Sequence, residues 1–313
     1  MNDKTNILKF LGNNLRNTVS KHSDIIEKQA VEIRLRVNSP VLIKLRGRDL
    51  NLGSLHVVSR KDIEETVSIV TKNSMHAFEK EIRNGFITVE GGHRIGIGGD
   101  CFYEGDRFGG FKNITSLNIR VAREYPGCSK SFMKFCIRTS NSIYNTLIVG
   151  PPLSGKTTFI RDVAVNLSDG FQIPFFEGYD ICVIDERGEI TSVFAGIPQM
   201  YVGMRTDVLS YCMKREGFFM SIRALSPKAI ISDELGSADD FEIVQYALKS
   251  GVNIVTTAHG FCLDDVRKNI YMKSILENNF FDRAIILKDS SRPCSVREVF
   301  DFQRNKVIYS DLA

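Results

Sequence analysis

The spacing of apolar residues changes character along the chain. Near the start, Ile7, Leu8, Phe10, Leu11 and Leu15 recur at helical spacing and predict an opening amphipathic helix. Glu32-Ile33-Arg34-Leu35-Arg36-Val37 alternates strictly, as a half-buried strand with a charged open face does. Pro40-Val41-Leu42-Ile43-Lys44-Leu45 reads as its hairpin partner. Ser59-Arg60-Lys61-Asp62 forms a capping box before an apolar run through Ile63, Val67 and Val70, so a helix follows, with a second over 75–83. A glycine-rich β region comes next, with strands at 86–89 and 93–97 and turns at Gly91-Gly92 and Gly109-Gly110. Glu104-Gly105-Asp106 reads as a hairpin tip, and alternation returns over 117–122. Residues 1–123 therefore read as a small α+β domain, Pro126-Gly127 marks a linker, and 124–313 form a second domain.

In that second domain a short helix at 132–137 precedes regular strand–helix alternation. Strands are predicted at 145–149, 181–184, 229–231, 253–256 and 283–287, with helices between them, among them 158–167, 238–249 and 263–276. A closing hairpin is predicted at 296–301 and 306–309. This order implies a mostly parallel sheet with helices on both faces and a ligand at the carboxyl ends of its strands.

Composition narrows the class. At 43% hydrophobic and 25% charged residues, the chain has the make-up of an ordinary globular protein. No apolar run is long enough to span a bilayer, and Met1-Asn2-Asp3-Lys4-Thr5 lacks the layout of a secretory signal. Seven cysteines without a C-x-x-C pair suggest reduced thiols in a cytoplasmic protein. The net charge of +4 is uneven: residues 1–123 hold 20 Lys and Arg against 14 Asp and Glu. That excess suits an anionic partner or an ordinary solvated surface equally well.

The chemistry concentrates at Gly150-Pro151-Pro152-Leu153-Ser154-Gly155-Lys156-Thr157-Thr158, which fits G-x-x-x-x-G-K-[ST] between a strand and a helix. The glycines let successive N–H groups approach a phosphate, and the helix starting near Lys156 aims its positive end at the same point. Lys156 would neutralise the β/γ oxygens and Thr157 would ligate Mg²⁺. Ala229-Ile230-Ile231-Ser232-Asp233-Glu234 places two carboxylates beyond a second apolar strand, Asp233 to support the metal shell and Glu234 to activate water. With no Asn-Lys-x-Asp base-reading motif, ATP is expected rather than GTP. Asp185-Glu186-Arg187-Gly188-Glu189 ends another strand. Glu186 either brings a carboxylate to the metal or water, or pairs with Arg187. His259, in Thr256-Thr257-Ala258-His259-Gly260, either senses the γ-phosphate or a neighbouring subunit, or serves the fold. Arg205, Lys214, Arg215 and Arg223 lie between the acidic strands and either line a pore, stabilise transferred charge, hold a partner or pair with local acids.

At these motifs, together with Glu32-Ile33-Arg34-Leu35-Arg36, Gly92-His93-Arg94-Ile95-Gly96, Asn113-Ile114-Thr115-Ser116-Leu117-Asn118-Ile119-Arg120-Val121-Ala122-Arg123-Glu124 and Gly203-Met204-Arg205-Thr206-Asp207-Val208-Leu209, nearly the whole chain resembles the stage III sporulation protein AA family. That family is similar to the ATPases of type II and type IV secretion and pilus machines. The resemblance implies a RecA-like P-loop NTPase core preceded by a smaller N-terminal α+β domain and assembled as a homo-oligomeric ring, a hexamer. It implies the mother-cell cytoplasm, peripheral at the membrane facing the forespore, with membrane components of a secretion-like channel as partners. Asp185, Glu186 and Glu189 correspond to the acidic box of secretion ATPases and His259 to their His box. Arg94, Arg120 and Arg123 are candidates for an arginine that reaches a neighbour's nucleotide. Leu153-Ser154 stands where small residues are common in the family, and the tetracysteine zinc element is absent, so no metal beyond Mg²⁺ is expected.

The resulting expectation is an ATP hydrolase with ATP and Mg²⁺ as ligands. Two alternatives are a RecA-like motor stimulated by nucleic acid and a scaffold that binds ATP to assemble. No aromatic-and-basic run suited to stacking bases appears, so no specific nucleic acid is expected.

Overall fold

The computed structural model describes residues 6–45, 47–53, 55–172 and 175–311. It divides into two compact units, Met1–Arg123 with Ser192–Gln199, and Glu124–Thr191 with Met200–Ala313.

The first unit is built on a six-stranded antiparallel sheet. Its strands are β1 (Ala30–Arg36), β2 (Leu42–Leu45), β3 (Arg48–Asn51), β4 (Phe86–Thr88), β5 (Arg94–Glu104) and β6 (Arg107–Arg120), in the order β3-β2-β1-β6-β5-β4. Helices α1 (Asn13–Ser20), α2 (Ser23–Gln29), α3 (Arg60–Val70) and α4 (Glu79–Arg83) accompany it. The capping box at α3 is present in both directions between Ser59 and Asp62.

Two expectations are corrected here. The opening segment is not one helix but a 3₁₀ turn, Ile7–Phe10, followed by α1. The break at Gly12 arises because the amides of Gly12 and Asn13 donate to Thr66 and Glu65 of α3 instead of continuing a helical ladder. Gly109-Gly110 is not a turn but lies inside β6, paired with the far half of β5. A Cβ at Gly109 would stand 2.4 Å from the Phe102 ring, so the glycines make room for an aromatic ring laid across the ladder.

The second unit carries two short ladders, β7 (Ile137–Thr139) with β8 (Ser142–Ile143) and β10 (Phe171–Gln172) with β11 (Phe175–Phe176). Its main sheet has eight strands. They are β9 (Thr146–Gly150), β12 (Ile181–Asp185), β13 (Thr206–Ser210), β14 (Ala229–Ser232), β15 (Asn253–His259), β16 (Arg283–Leu287), β17 (Val296–Asp301) and β18 (Lys306–Ser310), ordered β13-β12-β14-β15-β9-β16-β17-β18. The first six are parallel and the last two form an antiparallel hairpin. Strands β9, β12, β14 and β16 are buried throughout, which is why they read as unbroken apolar runs.

The remaining helices are α5 (Met133–Cys136), α6 (Lys156–Asp169), α7 (Lys214–Met220), α8 (Asp240–Lys249), α9 (Leu263–Arg267) and α10 (Ile270–Glu277). Residues of α6 share one core with Ile148, Val183 and Ile231, while residues of α8 and α10 share a second with Val149, Ile184 and Ile230. Alternate strand residues thus face opposite cores, and helices cover both sides of the sheet. The single helix expected over 263–276 is two, because Asn269 adopts an extended backbone and caps α10, accepting from Tyr271 and Met272 amides. Strand β13 and helix α7 carried no prediction. Among the described residues, no helix is long and apolar enough to cross a membrane.

Candidate active site

Strand β9, flanked by β15 and β16, ends at Gly150 on the carboxyl side of the sheet, and the loop 151–155 turns back into α6. Leu153 and Gly155 both adopt left-handed backbone, φ 62° and 87°, the alternation that turns amides toward one point. A β-carbon at Gly155 would lie 2.6 Å from Cys294 Sγ, so this position excludes a side chain on space as well as on backbone angle. Leu153, 83% exposed, points away from the loop, while Ser154 is buried and its hydroxyl has no partner among the described residues. The Ser154 carbonyl is held by the Cys294 amide at 2.8 Å, tying the loop to the segment after β16.

The Lys156 ammonium lies across its own loop, donating to the carbonyls of Gly150 at 2.6 Å and Pro151 at 3.1 Å. Burial pushes its pKa down, and the negative charges of Glu234 and Asp233 push it back up. Asp233 follows β14 directly. Burial, and the charges of Glu189, Asp185 and Glu234, hold its carboxyl above the usual carboxylate range, against a hydrogen bond from backbone that lowers it. Two carboxylates, Asp233 and Glu234, thus act on Lys156, and Asp233 feels further negative charge from Glu189 and Asp185, an arrangement that a divalent cation would relieve. Among the described residues, no three His, Cys, Asp or Glu side chains converge as a ready-made metal cage. Mg²⁺ suits this donor set, since it commonly keeps several waters and takes one or two carboxylates with substrate phosphates. Thr157 and Asp233 are the residues that would hold it.

The turn after β12 divides the expected acidic box. Asp185 is fully buried, and its two oxygens accept from the amides of Glu189 (2.8 Å), Ile190 (3.2 Å) and Thr191 (2.8 Å) and from the Thr191 hydroxyl (2.6 Å). Arg161 of α6 donates to the carbonyls of Glu189 and Ile190 in the same turn. Asp185 thus organises the loop, while Glu186 is left at its surface. Glu186, Glu234 and His259 line one cavity of about 490 Å³ with Lys214, Arg215 and Asn269. His259 ends β15 in register with Gly150 of β9, and Gly260 donates to the Gly150 carbonyl, which sets the histidine beside the glycine loop.

The basic residues have local partners. Arg205 donates to the Ser168 carbonyl at the end of α6, Arg215 pairs with Glu242, and Arg223 lies over the Phe219 ring. In the first unit, Arg94 lies 3.4 Å over the Phe86 ring and Arg120 pairs with Glu32. Arg123 donates to the carbonyls of Ile26, Glu27 and Ala30 at the end of α2, where a cation complements the helix dipole.

Sequence reasoning did not find the anchor between the linker and α6. Asp162 accepts from the amides of Gly127 and Ser129 and from the Ser129 hydroxyl. These linker donors lie more than thirty residues away, and an acid within an amphipathic helix carries no local mark of such a role.

A model of the family "Sporulation stage III, protein AA" matches residues 1–307. The chain belongs to this family. It is 35% identical over 301 residues to stage III sporulation protein AA of Bacillus subtilis, covering 96% of this chain and 95% of that protein. The fold is the RecA-like P-loop fold of secretion and pilus ATPases. The ATPase DotB of Legionella pneumophila superposes with a TM-score of 0.59 at 13% identity, over 93% of this chain and 81% of that one. The pilus retraction motor PilT, solved with bound ADP, gives 0.56 at 16% identity over 86% and 77%.

Proposed function

We propose that the protein is a Mg²⁺-dependent ATPase that energises or gates a secretion-like channel complex between mother cell and forespore. The observation that carries this reading is Lys156. It rests on two loop carbonyls, within electrostatic reach of Asp233 and Glu234. A triphosphate offers that ammonium better acceptors than two carbonyls. The loop amides at 150–158 would bind the phosphate chain, with Lys156 on the β/γ oxygens. Bound Mg²⁺ would neutralise charge on the transferring phosphoryl group. Glu234 would take the proton of the attacking water as the γ-phosphoryl group leaves ADP. Glu186 and His259, on the same cavity, would orient that water or the γ-phosphate. Catalysis here is mainly positioning and charge stabilisation.

In this reading the protein works as a hexameric ring, peripheral to the membrane that faces the forespore, with the membrane components of the channel as partners. Arg94 or Arg120 would complete a neighbour's site; Arg123 is the weakest of the three, since its guanidinium already spans the end of α2. An arginine supplied from a neighbour raises turnover about 10³–10⁵-fold. Phosphate release should therefore rise more steeply than protein concentration, in step with assembled mass. The test is phosphate release by purified protein beside Glu234→Gln. The variant should bind ATP and leave it intact; equal turnover removes Glu234 from its role. Strong, salt-sensitive stimulation by DNA or RNA would favour the nucleic-acid motor. ATP-dependent assembly without turnover would favour the scaffold.

A further inference from the structure

The segment that carries Glu234 leaves β14 and reaches α8 through Leu235, Gly236 and Ser237, and its backbone is held from several elements. Leu235 donates to the Thr257 carbonyl of β15 at 2.9 Å. Gly236 and Ser237 both donate to Asp240 Oδ2 at 2.6 Å. The Gly236 carbonyl accepts from Asn269 at 3.1 Å. The Glu234 carbonyl itself accepts from Lys214 Nζ at 2.5 Å, and the same ammonium lies 3.1 Å from Asp240 Oδ1. Lys214 is the first residue of α7, the helix that precedes β14 in sequence, and its side chain is only 13% exposed; that of Asp240 is 1% exposed.

A lysine in the first turn of a helix opposes the helix dipole. Its position is explained by what it reaches. Asp240 grips two amides with one oxygen and faces Lys214 with the other, so the pair closes a bracket around the peptide of Glu234. Gly236, at φ 157°, supplies the backbone angle that lets both amides turn to one carboxylate oxygen.

We propose that Lys214 and Asp240 are positioning residues for Glu234: the pair fixes the peptide from which the water-activating carboxylate projects. This rests on the reading of Glu234 given above. Removing the ammonium frees the Glu234 carbonyl and leaves a buried carboxylate without its cation, so the peptide shifts while the phosphate loop stays in place. A displacement of about 1 Å in a catalytic group can cost about 10²-fold in rate.

The test compares Lys214→Met, Lys214→Arg, Asp240→Asn and Glu234→Gln in the full chain. Readouts are kcat and KM for ATP, affinity for a fluorescent ATP analogue, and amide hydrogen exchange at 234–237. Lys214→Met should lower kcat by about 10- to 10²-fold with KM and affinity within about twofold, and should speed exchange at 234–237. Lys214→Arg should recover part of the rate. In a Glu234→Gln background, Lys214→Met should lower the residual rate no further, whereas general damage would add. Should Lys214→Met fail to fold, Asp240→Asn carries the test, since it keeps the acceptor for both amides while removing the charge that holds Lys214. A parental kcat in either folded variant, beside an inactive Glu234→Gln, overturns the positioning role alone. A parental kcat in Glu234→Gln overturns the reading of Glu234, and the positioning role with it.

Discussion

Replacing Asp185 by alanine tests whether the acidic turn after β12 is a scaffold. Four donors converge on this carboxylate, three amides and one hydroxyl, all at 2.6–3.2 Å. Hydrogen bonds to a charged acceptor contribute about 1.5–3 kcal/mol each, but water entering the turn would re-satisfy some donors. Arg187 in this turn is exposed enough to admit it, so about half of the gross loss should survive, about 3–6 kcal/mol. Asp185→Asn keeps one acceptor oxygen and turns an NH₂ toward the remaining donors, so it should lose nearly as much. For a unit of this size each kcal/mol moves the midpoint by about 2–4 °C, which gives a fall of roughly 6–24 °C for the alanine variant. Differential scanning calorimetry of the nucleotide-free protein measures this directly. A loss below about 1 kcal/mol would show that the turn does not depend on Asp185, and its hydrogen bonds would then not explain its burial.

Other outcomes follow from the same geometry. Lys156→Ala should abolish binding of an ATP analogue, measured by fluorescence anisotropy, without lowering thermal stability, since its present acceptors are loop carbonyls. Glu186→Gln and His259→Ala should each lower turnover while changing stability by less than about 0.5 kcal/mol, because both line an open cavity. Burial and neighbouring carboxylates raise the pKa of Asp233 above its unfolded value, so its contribution to stability is present below the ordinary carboxylate range and lost as pH rises through the raised value. Asp233→Asn should therefore raise the melting temperature of the nucleotide-free protein above the raised value and flatten its pH dependence between the ordinary carboxylate range and that value, while weakening Mg²⁺-dependent ATP binding. Ser59→Ala should cost about 1 kcal/mol in chemical denaturation, the usual loss of an N-cap, with no change in ATP affinity.

The parts of the fold legible in sequence are those whose cause is local. The buried parallel strands are apolar runs, the glycine loop is a contiguous pattern, and the Ser59 cap spans four residues. The parts that were not legible depend on distant partners. Strand β13 is a half-exposed edge strand that lacks an apolar run, and it is a strand because β12 offers it a ladder. The breaks at Gly12 and Asn269 come from side chains of other segments or from a cap inside an apolar period. The glycines at 109 and 110 carry the composition of a turn, yet an aromatic ring on the paired strand accounts for them. In the site, Asp185 and Glu186 are adjacent and chemically alike. Only the fold separates the acid that binds its own loop from the acid that faces the cavity. The bracket of Lys214 and Asp240 joins residues that no spacing rule connects.

The most direct test is a crystal structure with Mg²⁺ and a non-hydrolysable ATP analogue. Lys156 Nζ should have left the carbonyls of Gly150 and Pro151 for the β/γ oxygens, with Thr157 and Asp233 at the metal shell and Glu234 facing the γ-phosphorus across one water. An analogue bound elsewhere, with Lys156 still on its two carbonyls, would contradict the account.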